Sequence, residues 1–137
     1  ICTVTTGIRD TNNLSLQQES TFSFTTLSTD YYVSAAGYYD GQGAAITSVG
    51  SNSTITAKVT FANETADAAN ATVIIARFKD GVCKGIAYED GTVQSTGDTI
   101  SATITGVQAG ETIRTFVWDS AATMRPIWAK AGRFTLN

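Results

Sequence analysis

Catalytic chemistry has few candidate groups here, because the 137-residue sequence contains no histidine. Histidine general bases, catalytic triads and histidine-ligated zinc are therefore excluded. Carboxylates remain, but Asp40, Asp80 and Asp90 each precede a glycine, as residues of tight turns do. Asp119 ends an apolar run and precedes a serine, which is typical of a capping residue. We expect a protein that is not an enzyme and has no catalytic residue, cofactor or metal site.

Aromatic side chains are the groups that could recognise a ligand. Tyr31 and Tyr32 are adjacent, as are Tyr38 and Tyr39, so one ring of each pair must face outward if these residues form a strand. Outward rings can stack on sugar faces, but tyrosine and tryptophan are also enriched in protein interfaces. The candidate sugar-binding residues are Tyr32, Tyr39 and Trp128.

Two cysteines, Cys2 and Cys83, lie about eighty residues apart, which is not a spacing of metal ligands. They are disulfide candidates, since an oxidising compartment favours the bond. Cys2 lies near the start of the chain, where it could meet Cys83 of its own chain or of a neighbour. The sequence leaves both pairings open.

Four triplets match the pattern of N-glycosylation acceptors. Their asparagines are Asn13, Asn52, Asn63 and Asn70. A chain rich in threonine and serine also contains such triplets by chance, so both a bare and a glycosylated protein fit them. Because the chain begins at Ile1 rather than at methionine, it is either a fragment or a protein that has lost a leader. We expect a mature secreted or cell-surface protein.

Length and charge predict one domain without a membrane span. A core of this size can bury about two-thirds of the surface of the unfolded chain. No apolar run reaches the roughly 18 residues that a membrane-spanning helix needs. The net charge is -3 and the lysines and arginines are scattered, so no basic face is available for a nucleic acid.

A hydrophobic period of two predicts an all-β fold. In STITAKVTFAN the alternate residues from Ile55 to Phe61 are apolar, as in a strand with one buried face. ATVIIARFK is apolar on both faces, which is typical of a central strand covered on both sides. Seven such runs, separated by turn residues, predict a seven-stranded immunoglobulin-like (fibronectin-III-like) antiparallel sandwich over residues 29–137.

Residues 1–28 form an N-terminal arm whose strand-like ends flank a polar stretch. Cys2, Val4, Thr6 and Ile8 alternate on one face, a pattern that gains stability by pairing with a sheet edge. The arm could pair with its own sandwich, or with a neighbour's by strand addition. The candidate subunit-contact residues are Ile1, Cys2, Val4, Thr6 and Ile8.

The stretch FVWDSAATMRPIW, residues 116–128, predicts a structural turn. Trp118 ends a strand in or beside the core, and the Asp119 carboxylate accepts hydrogen bonds from the following turn, which forms one short helical turn. Met124 is suited to fill a gap at the end of the core. Pro126 stops the helical turn and directs the chain into the last strand.

This stretch resembles the closing "WDs..(M/L)kPl" signature of immunoglobulin-like modules near the C-termini of secreted Gram-positive cell-surface proteins and polysaccharide-degrading enzymes. The similarity extends to ATVIIARFKDGVCKGI and AAITSVGSNSTITAKVTFANET, and covers about residues 30–137. It implies an immunoglobulin-like fold with an accessory or structural role rather than a catalytic one. The first 28 residues match nothing in the pattern.

Two functions fit these patterns. In the first, the protein is a non-catalytic extracellular structural subunit whose arm links copies head to tail into a pilus-like filament. In the alternative, it is a carbohydrate-binding or accessory module of a secreted glycan-degrading enzyme, with a polysaccharide as partner. The resemblance favours the module, whereas the strand-forming arm favours the filament, which is our working hypothesis.

Overall fold

The computed structural model describes residues 2–4, 20–22 and 30–137 of the chain. In these ranges every regular element is a β-strand, and no helix is long and apolar enough to cross a membrane. The strands, in chain order, are β1 (Cys2–Val4), β2 (Ser20–Phe22), β3 (Tyr31–Asp40), β4 (Ala45–Ile46), β5 (Thr54–Asn63), β6 (Ala69–Lys79), β7 (Val82–Val93), β8 (Asp98–Thr105), β9 (Thr112–Trp118) and β10 (Thr135–Leu136).

Eight of these strands form two antiparallel sheets that pack face to face. The first sheet has the strand order β10-β9-β6-β7, and the second has the order β4-β3-β5-β8. In β5 every second residue from Ile55 to Asn63 is buried, and β8 and β9 show the same alternation. The buried side chains of both sheets meet in one core, which confirms the expected all-β antiparallel sandwich.

Residues 30–137 form eight strands rather than the expected seven. The differences concern the two shortest strands, β4 and β10. The sequence does not predict β4, because two residues are too few for an alternation to be recognised. The expected last strand, AKAGRFTL, is a strand only at Thr135–Leu136. Its earlier residues lie in a segment that contacts both sheets in turn.

That segment, residues 125–136, is here called the C-terminal strap. The backbone N–H of Ile127 donates to a carbonyl of β9 at 3.0 Å, and the N–H of Lys130 then donates to a carbonyl of β3 at 2.9 Å. The strap returns to β9, where the carbonyl of Phe134 accepts a hydrogen bond at 3.0 Å. It therefore covers the outer edges of β9 and β3.

The opposite side of the sandwich keeps two open edges. Among the strands that the structure describes, β7 pairs only with β6, and β8 pairs only with β5. β7 and β8 come close where Gly91 faces Ile100, because a Cβ at Gly91 would lie only 2.6 Å from Ile100 Cδ1. The sandwich thus has one side where the short strands β4 and β10 and the strap cover β3 and β9, and one side where the long strands β7 and β8 have unpaired edges.

The N-terminal arm contributes a short ladder of its own. β1 pairs antiparallel with β2, with Cys2 opposite Phe22 and Val4 opposite Ser20. Strand pairing of the arm is therefore present inside the arm, and its pairing with a second subunit stays a prediction. Three other expected contact residues lie outside the described residues: Ile1, Thr6 and Ile8. The expected boundary at residues 28–29 also lies outside them.

A side-chain hydrogen bond crosses the core between the two sheets. The Thr115 hydroxyl of β9 donates to the phenol oxygen of Tyr38 on β3 at 2.9 Å, and both residues are buried. Burial raises the pKa of Tyr38 to about 12, so the phenol stays neutral at physiological pH. The bond joins two strands that share no ladder.

Replacing Tyr38 with phenylalanine should lower the free energy of unfolding by about 1–3 kcal/mol, because the buried Thr115 hydroxyl loses its acceptor. The double variant Tyr38→Phe/Thr115→Val should lose less, since no buried polar group remains unpaired. Tyr39→Phe on the outer face is the matched control and should change stability little. Urea denaturation measures all of them, and an equal loss in the single and double variants would contradict this account.

Candidate functional site

The carboxylate of Asp119 organises the turn after β9, as the sequence predicts. Its Oδ1 accepts from the Thr123 hydroxyl and from the Arg125 backbone N–H (3.1 Å), and its Oδ2 accepts from Arg125 Nε at 2.8 Å. The N–H of Met124 donates to the Ser120 carbonyl at 3.0 Å, so the expected helical turn is a single hydrogen-bonded turn that ends at Met124 with φ 51°. The hydrogen bond from Thr123 and those from Arg125 hold the pKa of Asp119 down at about 2.

The neighbours of Asp119 take less buried positions than the sequence suggests. Met124 does not fill a gap in the core: it is 57% exposed and has φ 51°, so the turn directs its side chain to solvent. Trp118 is half-buried on the outer face of the first sheet, where it lies opposite Thr72. Pro126 forms an antiparallel bridge with Trp118 and begins the return of the chain along β9.

Acid should remove a specific contribution of Asp119 to stability. Its pKa in the folded protein lies below the ordinary value of 3.8, so the contribution is present above about pH 4 and is lost as the pH falls toward 2. Asp119→Asn should lower the melting temperature at neutral pH and weaken its dependence on pH between 4 and 2. Asp80→Asn, in an exposed turn, is the control. Parallel melting curves for Asp119→Asn and the parent over this range would contradict the prediction.

The other candidate carboxylates are also engaged locally. Asp40 Oδ1 accepts from two backbone N–H groups of the following turn, at 3.0 and 2.8 Å. Asp90 lies within β7 rather than in the expected tight turn, and its Oδ1 accepts from the Thr72 hydroxyl at 2.5 Å. Asp80 occupies the β6–β7 turn with φ 51°. In the part of the chain that the structure describes, no three His, Cys, Asp or Glu side chains are grouped so that they could hold a metal ion.

The outer face of the first sheet is apolar and exposed. Ile74 of β6 lies between Tyr88 of β7 and Phe116 of β9, and the next row along β7 begins with Ile86. Ile86 is 64% exposed, Tyr88 62% and Phe116 39%. We call these four residues, Ile74, Ile86, Tyr88 and Phe116, the apolar face.

The thiol of Cys83 lies beyond one end of the apolar face. Cys83 is opposite Phe78 in the β6–β7 ladder, and it is exposed and free. It lies on β7, the strand with an unpaired edge. The side chain of Cys2, its candidate partner, is outside the described residues, so the pairing stays a prediction.

The outer face of the second sheet carries hydroxyls and aromatic rings. Thr56 and Thr103 are hydrogen-bonded at 2.8 Å, and Thr60 and Thr99 at 3.1 Å, across the β5–β8 ladder. Tyr39 lies on the same face, opposite Thr56. The outer face of the second sheet is therefore mainly polar, in contrast to the apolar face of the first sheet.

The three candidate sugar-binding residues fall on this second face, at two places. Tyr32 and Trp128 contact each other edge to face, with ring centroids 5.5 Å apart, and Lys130 Nζ lies 5.9 Å from the Tyr32 ring centroid. Lys58 Nζ lies 4.3 Å from the ring centroid of Tyr39, toward the other end of the sheet. The two lysines were not singled out from the sequence, although Lys58 occupies the polar phase of STITAKVTFAN.

Asn63 uses its amide inside the fold. Its Nδ2 donates to the carbonyls of Asp67 (3.0 Å) and Val93 (3.2 Å), and its Oδ1 accepts from the backbone N–H and the hydroxyl of Thr65. The side chain is buried. A glycan would replace one of the two hydrogens on this nitrogen and so remove at least one of these donated hydrogen bonds; the side chain therefore has a structural role.

The other glycosylation candidates have different surroundings. Asn70 is exposed on β6, and its oxygen accepts from the Thr92 hydroxyl at 3.4 Å. Asn52 is half-buried and donates from Nδ2 to the Val49 carbonyl at 2.9 Å. Asn13 lies outside the described residues. Among the described triplets, Asn70 offers the most accessible amide nitrogen.

Comparisons with known proteins add no family to this description. No protein-family model matches the chain, and no curated protein matches it. The resemblance of residues 116–128 to the closing signature of secreted immunoglobulin-like modules therefore stays a hypothesis.

Proposed function

We propose that the chain is a non-catalytic, extracellular structural domain of the immunoglobulin-like (fibronectin-III-like) type, which assembles with copies of itself into a surface filament. The observation that carries this proposal is the exposed apolar face of the first sheet. An apolar patch rimmed by polar residues is a feature of interaction sites. Covering a large exposed apolar side chain contributes about 1.5–3 kcal/mol, so three of them can supply a substantial part of a contact.

The sequence of β6 supports the same role. ATVIIARFK is apolar in both phases, as in a strand that is covered on both sides. One side faces the core, with Val73 and Ile75 fully buried. On the other side Ile74 is half-buried between Tyr88 and Phe116, and those two rings are open to solvent. Thr72 and Ala76 of this side are already buried within the subunit, so a partner over this face would cover Ile74 and the two rings.

The edge of β7 offers a means of strand addition beside this face. β7 has twelve residues, and no described strand pairs with its outer edge. An unpaired edge of this length presents a row of backbone donors and acceptors to an incoming strand. The alternating segment from Cys2 to Ile8 is suited to pair there, and Cys83 on the same edge could then meet Cys2 of the neighbour.

The sandwich begins at the end of the first sheet where Asp90 lies, so the arm joins it there. The hydroxyl of Tyr31, at the start of β3, donates to the Asn70 carbonyl at 3.1 Å, next to the row formed by Asp90 and Thr72. From Asp90 to Cys83 the face extends about 23 Å at the rise of a strand. Because Cys2 lies opposite Phe22, the reach of β1 is set by the seven residues between Phe22 and Asp30, which when extended span about 26 Å, enough to cover this distance on a neighbour.

A charge on the apolar face should prevent assembly. Ile86→Asp adds a carboxylate to the apolar face, so we expect self-association to weaken at least tenfold, as measured by sedimentation equilibrium and negative-stain electron microscopy. Thr103→Asp, on the polar face of the other sheet, is the matched control and should assemble like the parent. A parent protein that stays monomeric at millimolar concentration would overturn the filament.

Non-reducing gels test the link between Cys2 and Cys83. With oxidised glutathione as oxidant, the parent should form a ladder that collapses on addition of thiol, because disulfides between chains join successive subunits. Cys2→Ser and Cys83→Ser should each abolish the ladder. A single monomer band that migrates faster when oxidised would instead show that the two cysteines pair within one chain.

The alternative function, a carbohydrate-binding or accessory module of a secreted glycan-degrading enzyme, is supported by a separate observation. Tyr32 and Trp128 are far apart in sequence but in contact on the polar face of the second sheet. This face lies on the opposite side of the sandwich from the apolar face, so the two functions do not compete for the same residues.

A further inference from the structure

We propose that the outer face of the second sheet binds a linear acidic polysaccharide, one whose sugars carry carboxylates. The site is a shallow hollow of about 300 Å³ together with the aromatic pair beyond its far end. It rests on residues of β3, β5 and the C-terminal strap, and it does not require the assembly of subunits. We call the whole site, the hollow together with the aromatic pair, the trough.

The floor of the trough is made of small side chains. Ala35 and Gly37 of β3 and Thr60 of β5 line it, and these residues lie on the outer face because their buried neighbours take the inner one. The Tyr39 ring leans over Gly37: a Cβ there would be 3.8 Å from Tyr39 Cε2. The ring therefore lies over the sheet beside a floor without bulky groups, where a sugar ring can approach it.

Aromatic rings mark both ends of the site. Tyr39 lies opposite Thr56 and Tyr32 opposite Ala62 in the β3–β5 ladder, so the two rings are separated by six residues of β5. At the rise of a strand this is about 20 Å, which is several sugar rings. At the Tyr32 end, Trp128 is 41% exposed and extends the aromatic surface.

The charges on this face select the kind of polysaccharide. Lys58 lies at the Tyr39 end and Lys130 at the Tyr32 end, and neither forms an ion pair with a described residue. Glu64, beside Tyr32, accepts a hydrogen bond from its hydroxyl at 3.2 Å. Two ammonium groups on one face of a chain with net charge -3 complement carboxylates spaced along a polymer.

The probe for the test is polygalacturonate, with hydroxyethylcellulose as the neutral comparison, in affinity electrophoresis and calorimetry without divalent cations. The parent should bind polygalacturonate at least tenfold more tightly than the neutral polymer, and less tightly at high salt. Lys58→Gln should weaken this binding about tenfold, and Trp128→Ala should abolish it. Melting curves establish that each variant is folded.

Two control variants make the result decisive. Lys84→Gln removes an exposed lysine of β7 outside the trough, and Tyr88→Ala removes an exposed ring of the apolar face. Both should bind polygalacturonate like the parent, and Ile86→Asp should also bind even if it does not assemble. No binding by the parent, equal loss in Lys58→Gln and Lys84→Gln, or equal affinity for the neutral polymer would each overturn the proposal. Loss of polygalacturonate binding only in Tyr88→Ala would show that the apolar face binds the polymer, which would also overturn the proposal.

Discussion

The hydrogen bonds of the Asp119 carboxylate are the local constraint on which the rest of the architecture depends. They fix a tight turn at the end of β9, so that the chain returns along β9 instead of continuing past it. The strap that follows can then reach β3, where it passes so closely that a Cβ at Gly132 would lie 2.7 Å from the backbone nitrogen of Ala36. The turn that this carboxylate organises thereby places the strap along β9 and against β3.

The two outer faces differ because their strands carry different outward-facing residues. We call these residues, which alternate with the core residues of a strand, its second phase. In β5 the residues between the buried ones are Thr56, Lys58, Thr60 and Ala62, so the outer face of the second sheet is mainly polar. In β6 the second phase contains Ile74 and Ala76; Tyr88 and Phe116 flank Ile74, and Ile86 and Arg114 flank Ala76. A sandwich needs only one apolar phase per strand for its core. Ala76 is buried within the subunit, but Ile86 and the rings beside Ile74 stay exposed, and this is the physical reason to look for a partner on that side.

The sequence predicts the long strands and the Asp119 turn well, because both depend on neighbouring residues. It does not predict the trough, since that site depends on a bulge. Strict alternation would place Tyr32 and Tyr39, seven residues apart, on opposite faces of β3. The register of β3 shifts between Val33 and Ala35, so that one residue is inserted and both rings face outward. The contact between Tyr32 and Trp128 likewise depends on the path of the strap, which no local pattern encodes.

The separation of the two faces has a consequence for binding. If subunits assemble through the first sheet, the trough on the second sheet is not covered and recurs once per subunit along the filament. An acidic polysaccharide is also repetitive, so successive troughs can engage one polymer chain. Each site after the first then binds at a high effective concentration, and weak individual contacts, such as those of two lysines and a few rings, can give strong overall attachment. A shallow, solvent-exposed trough therefore binds strongly enough when many copies engage one polymer chain. A single isolated subunit has only one such site, and would hold the polymer weakly.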